Sequence, residues 1–135
     1  MRRILFALLL TLSATLADAK VWQAKWITSP TASEQGNSWF CFHKSITIDD
    51  LGDQRAFADI AVDSKYWMWI NGEMVVFEGG LKRGPSPRDT YYDHVDITSY
   101  LNEGRNDIAI LVWYFGNHGN SHNSSGKPAL LFDCQ

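Results

Sequence analysis

Cysteine is scarce in this chain: two in 135 residues, Cys41 and Cys134. That excludes a disulfide-stapled miniprotein, which replaces a hydrophobic core with several bridges. A basic excess is also missing, with 12 Lys and Arg against 15 Asp and Glu and a net charge of −3. Without a cationic footprint, nucleic acid is not an expected partner. No apolar run approaches the ~20 residues that a membrane-spanning helix needs, so no membrane partner is expected either. Serine-nucleophile motifs, phosphate-binding glycine loops and paired redox cysteines are absent, and no cofactor is expected. Helical periodicity is rare. No window of a dozen residues repeats apolar side chains at three and four while keeping one face polar.

What the chain does have begins at its N-terminus. Arg2 and Arg3 precede an apolar stretch over residues 4–12, and Ala17-Asp18-Ala19 follows. A short positive region, about nine apolar residues and small side chains at the cleavage site make a secretory signal peptide. Cleavage is expected before Lys20. Residues 20–135 then form one domain, secreted or periplasmic.

Within that domain, β-branched and aromatic runs alternate with Gly, Pro, Asn and Asp clusters, the pattern of an all-β sandwich. Strands are expected over residues 39–48, 55–62, 66–70, 73–77, 91–95, 107–114 and 129–132. Asn71-Gly72 separates two of them, and both residues tolerate positive φ, which predicts a type I′ hairpin. Asp96 is placed to cap one helical turn through Leu101, ended by Gly104.

Alternation assigns the faces. Tyr66, Met68 and Ile70 share one side of their strand, and Trp67 and Trp69 share the other. Further on, Ile108, Ile110, Val112 and Tyr114 oppose Ala109, Leu111, Trp113 and Phe115. A sheet facing water should be polar on its outer side. Both of these strands are apolar on both sides, so their second face is expected to meet another surface or a flat apolar ligand.

Trp67, Trp69 and Trp113 are the leading contact candidates. A Trp ring laid on the apolar face of a sugar buries area while the hydroxyls stay wet. Trp at positions i and i+2 lie about 6.5–7 Å apart along a strand, close to the spacing of sugar rings; plain packing is the competing reading. Two loops, residues 78–89 and 116–127, could add polar contacts through Arg83, His118 and His122, joined by Tyr91 and Tyr92. The two histidines stand four apart, but in a Gly/Asn/Ser loop that spacing aligns nothing, and no metal site is expected. Glu73, Glu78, Asp89, Asp93 and Asp96 could supply the carboxylate pair of a glycosidase, yet nothing selects a pair. Asp93 and Asp96 read better as backbone acceptors. A bond between Cys41 and Cys134, on the first and last strands, is left open.

Several stretches then resemble a known family. They are Trp22-Gln-Ala-Lys-Trp26-Ile27, Phe40-Cys-Phe42-His-Lys44 and Tyr66-Trp-Met-Trp-Ile70-Asn-Gly-Glu73. Arg83-Gly-Pro85, Tyr91-Tyr-Asp93, Val95-Asp-Ile-Thr98, Tyr100-Leu101, Asn106-Asp-Ile-Ala109 and Leu111-Val-Trp113-Tyr-Phe-Gly116 follow in order. Together they resemble the N-terminal region of bacterial α-L-rhamnosidases, from about residue 21 to residue 132.

The resemblance implies a jelly-roll β-sandwich of the galactose-binding-like kind. In the family it precedes an (α/α)6 barrel that hydrolyses terminal α-L-rhamnose with inversion, using two glutamates of the barrel. Neither glutamate has a counterpart here, so this chain is expected to be non-catalytic. Its expected partners are a glycosidase catalytic domain, a rhamnose-containing glycan, or both. The alternative is an independent carbohydrate-binding module. N-terminal sequencing of the exported protein should begin at Lys20; a protein that retains residues 1–19 would overturn the signal-peptide assignment.

Overall fold

The computed structural model describes residues 20–30, 36–81, 90–116 and 123–135. The expected signal peptide and the candidates Arg83, His118 and His122 lie outside the described residues. Seven strands form among them: β1 (Ser38–Ile48), β2 (Phe57–Val62), β3 (Lys65–Ile70), β4 (Glu73–Gly80), β5 (Asp93–Asp96), β6 (Gly104–Tyr114) and β7 (Leu130–Cys134). They build an all-β jelly-roll sandwich with antiparallel pairing throughout. One sheet has the order β1-β6-β3-β4 and the other β5-β2-β7.

The alternation read from the sequence is the alternation that packs. Tyr66, Met68 and Ile70 of β3 are buried, as are Ile108, Ile110, Val112 and Tyr114 of β6. All but Tyr114 join one core cluster with Ala58, Ile60 and Val62 of β2 and Leu130 of β7, together with Ile97 and Leu101. Fully burying a side chain of this size contributes about 1.5–3 kcal/mol, which is what holds the two sheets face to face.

Turn chemistry fixes the register. Asn71 and Gly72 have φ of 52° and 84°, the doubly positive pair that a type I′ hairpin requires. Asn71 also donates from Nδ2 to Tyr100 O (2.9 Å) and Asn106 Oδ1 (2.8 Å), while its own Oδ1 accepts from Asp107 N (3.0 Å). Asn106 is fully buried. Its amide donates to Asn102 O and Gly104 O and accepts from Asn102 N. The β3–β4 turn is thereby clasped to the start of β6.

Some boundaries differ from the sequence reading. The turn before β6 is a single 3-10 turn at Thr98–Tyr100. Asp96 does serve it, accepting from Thr98 N at 3.1 Å, but Gly104 opens β6 at φ 86° and does not close a helix. β4 runs on through Gly79 and Gly80, because only glycine fits there. A Cβ on Gly79 would stand 2.5 Å from the Tyr66 ring, and one on Gly80 2.6 Å from Val62 Cγ2. β5 starts at Asp93, leaving Tyr91 and Tyr92 outside the ladder.

A strap over residues 20–28 covers the outer face of the smaller sheet, where Ala61 and Leu131 are buried. The Lys20 ammonium pairs with Asp59 and lies 3.9 Å from Asp133. Lys20 also stands over the Trp22 ring, which meets Tyr92 edge-on. Further along, Ile27 and Leu130 exchange two backbone hydrogen bonds. The two cysteines are free: Cys41 shares the outward side of β1, whereas Cys134 follows Leu130 and Phe132 on the inward side of β7.

Replacing Asn106 by Ala strands several buried polar partners, and such losses typically total about 2–4 kcal/mol. Urea unfolding of Asn106→Ala should show a loss of that size; a change below about 0.5 kcal/mol would refute the clasp.

A stacked aromatic face on the four-stranded sheet

The second side of β3 and β6 is where the sequence and the fold leave apolar surface in solvent. β1 and β6 pair Trp39 with Trp113, and β6 and β3 pair Leu111 with Trp67 and Ala109 with Trp69. β4 adds Met74 opposite Trp69, and a register shift at Met68 brings in Phe77. All four strands thus contribute to one outward face, which no described sheet covers.

The rings on that face organise one another. Trp39 stacks on Trp113 with centroids 4.8 Å apart and planes 8° from parallel. It also stacks on Trp67, at 5.6 Å and 26°. Phe77 meets Trp67 edge-on, and Phe115 meets Trp113 edge-on. Offset stacks and edge-to-face pairs of this kind add about 0.5–1.5 kcal/mol each beyond burial. Trp113 is steered further by its Nε1–H, which donates to Asn37 Oδ1 at 3.0 Å. Much of the surface remains wet nonetheless: Phe77 is 71% exposed, Trp39 49% and Met74 47%.

Charge is confined to the margins. Asp107 gathers Ser45 Oγ, Arg105 (3.0 Å) and His43 (3.4 Å) at one end. Its carboxyl is held below the ordinary range, first by the Ser45 hydrogen bond and then by Arg105. Lys65 pairs with Glu78 at 3.0 Å at the other end.

The contact candidates read from the sequence divide between the two sheets. Trp67, Trp69 and Trp113 do share this face, but the expected Trp67–Trp69 pair is not its centre. Trp67 stacks on Trp39, and among the described residues Trp69 makes no ring contact. Tyr91 and Tyr92 belong elsewhere: they lead into β5 of the smaller sheet, and Tyr92 meets Trp22 of the strap. Trp39 and Phe77 escape the sequence reading. Trp39 follows the same odd-numbered alternation as Cys41 and His43, but only the pairing of β1 with β6 brings it onto the indole cluster.

The carboxylates behave as structural acceptors. Asp93 takes hydrogen bonds from Tyr66 Oη (2.9 Å) and Gly80 N (2.8 Å). Burial, and then the Asp93 charge, pushes the Tyr66 phenol upward. Asp96 binds Thr98 and Arg55, and those hydrogen bonds lower its pKa from 3.8 to about 2. A glycosidase acid needs the opposite displacement.

These features define a class: an all-β jelly-roll domain with one face packed on a second sheet and the other faced with exposed aromatics. Among solved structures, the chain resembles the GH78 family rhamnosidase of Bacillus sp. GL1, with a TM-score of 0.71 and 29% identity. That match covers 87% of this chain and 12% of the rhamnosidase. The α-L-rhamnosidase from Dictyoglomus thermophilum matches at a TM-score of 0.57 and 22% identity, over 84% of this chain and 14% of that one. The Aspergillus terreus α-L-rhamnosidase matches at 0.53 and 24%, over 78% and 13%. No family model and no curated protein sequence matches. The chain thus spans about an eighth of these rhamnosidases, and its likeness is to a small N-terminal domain of such an enzyme.

Because the folded pKa of Asp96 lies below its ordinary value, its contribution to stability is full above pH 3.8 and lost as pH falls toward about 2. Asp96→Asn should therefore be less stable than the parent at pH 6, with the gap closing by pH 2. An equal gap at both pH values, read by thermal unfolding, would contradict this account.

Proposed function

We propose that this chain is a non-catalytic accessory domain of an α-L-rhamnosidase-like glycoside hydrolase, exported and seated against the catalytic domain. What supports this reading is the aromatic face itself. An exposed apolar patch fed by four strands is costly to leave in water and marks an interaction surface. Its central rings are already spent on one another. Stacked indoles turn edges outward, whereas a sugar platform needs a broad ring face toward the ligand. The interaction that fits is close packing against another apolar surface, with the Asp107 and Lys65 margins as its polar rim. Hydrolysis of terminal α-L-rhamnose belongs, in this reading, to a separate (α/α)6 barrel.

A second reading, an independent carbohydrate-binding module, is favoured by Trp69, whose ring no other described ring covers. In that case a rhamnose-containing glycan would lie on Trp69 beside Met74.

The test is a chimera. This chain would replace the matching segment of the Bacillus sp. GL1 rhamnosidase. Phe77→Ser with Met74→Ser should cost the isolated chain about 0.5–1.5 kcal/mol, the scale of the edge-on Phe77–Trp67 contact it removes. In the chimera the same pair should cost about 2 kcal/mol more than that, the scale of losing buried apolar contacts. Equal effects in both settings would overturn the docking reading. The isolated chain should show no turnover of an aryl α-L-rhamnoside, and hydrolysis above buffer would defeat the non-catalytic assignment. A saturable change in indole fluorescence with rhamnose, lost in Trp69→Ala, would establish the second reading instead.

A further inference from the structure

The two sheets are unequal, and the mismatch leaves an opening. β1 extends the larger sheet past the edge of β7, so the inward side chains Phe42 and Ile46 are only half covered. Between β1 and β7 lies a cleft of about 550 Å³, walled by Phe42, Ile46, Ile110, Leu130 and Phe132 among others. That volume falls within the roughly 300–1,000 Å³ of small-molecule sites.

Two cations stand on this apolar cleft. Lys44 occupies the inward row of β1, between Phe42 and Ile46 and in register with Ile108. Lys25 approaches from the strap. Neither has a carboxylate partner among the described residues, and no described Asp or Glu lines the cleft. The other titratable groups lining it are His43, which is turned to Asp107, and Cys134. A plain edge-protection role would explain one inward lysine on β1. It does not explain a second lysine from a different segment meeting the same apolar walls.

We infer that this cleft binds an anionic amphiphile, a linear acyl chain ending in a carboxylate, with the chain between the sheets and the carboxylate on Lys25 and Lys44. The site is separate from the aromatic face and does not depend on the accessory-domain reading. Apolar burial supplies the affinity, and the lysine pair selects an anion over a neutral or cationic head.

The cysteines report on it. Cys134 lines the cleft, and burial of its sulfur, then the Asp133 charge, raises its thiol pKa. Cys41, on the aromatic face, is the internal control. The full chain is alkylated with iodoacetamide at pH 8.5 and each site is read by mass spectrometry, with dodecanoate, dodecyl maltoside or dodecyltrimethylammonium present below their micelle concentrations. Dodecanoate should slow Cys134 but not Cys41, and outperform the other two amphiphiles. Half-protection of Cys134 should need about tenfold more dodecanoate after Lys25→Gln with Lys44→Gln, the scale of removing two nearby charges. Lys44→Gln alone should give a smaller shift in the same direction. An unprotected Cys134 would overturn the inference. So would equal protection by all three heads, or parallel protection of Cys41.

Discussion

β6 is hydrogen-bonded on both sides, to β1 along its whole length and to β3 from Trp113 to Ile108. Because side chains alternate with period two, a slip of one residue in either pairing would exchange the faces of the sheet. Ile108, Ile110 and Val112 would turn outward, and Trp113 would enter a core with no room for it. The register is pinned at one end, where Asn71 and Asn106 clasp the β3–β4 turn to the start of β6. The sandwich core and the aromatic face are therefore two consequences of one alignment. Neither can be altered alone without moving the other.

The two outer faces of the sandwich are treated differently. On the smaller sheet, the chain itself supplies the cover: the strap buries Ala61 and Leu131 and is latched by Lys20 between Asp59 and Asp133. On the larger sheet no described segment does so. Its aromatics instead cover one another as far as ring stacking allows, with Trp39 shared between Trp113 and Trp67. Stacking lowers the cost of waiting in water without removing it, as the exposure of Phe77 makes plain. A surface organised this way is preshaped, so little side-chain entropy would remain to be lost on contact with another surface.

Most of the fold was legible because period-two alternation and turn chemistry are local. Val95, Ile108 and Tyr66 announce their strands through their neighbours, and Asn71-Gly72 announces its hairpin without outside help. The centre of the aromatic face was not legible, because it depends on which strands lie side by side. Trp67 and Trp69 are neighbours in sequence, yet Trp67 finds its stacking partner on β1, two strands away. Tyr91 and Tyr92 follow the same logic in reverse: their composition suits a contact surface, but β5 pairs with β2 and carries them to the other sheet. Resemblance supplied the jelly roll as a whole, whereas sheet order had to come from three dimensions.

The lysine at position 44 shows how far alternation can be pressed. Its neighbours in the inward row are Phe42 and Ile46, so the pattern asks for an apolar side chain and the sequence supplies a cation. A buried, unpaired ammonium would cost several kcal/mol, and the fold escapes that cost only because β7 does not reach over β1 at this point. The cleft and the charge are thus mutually dependent. Closing the sandwich would trap Lys44, and an apolar residue there would favour closure or pairing of the exposed β1 edge. A polar exception inside an apolar row is where a fold departs from its own pattern, and such departures are expected where something other than the core is being served.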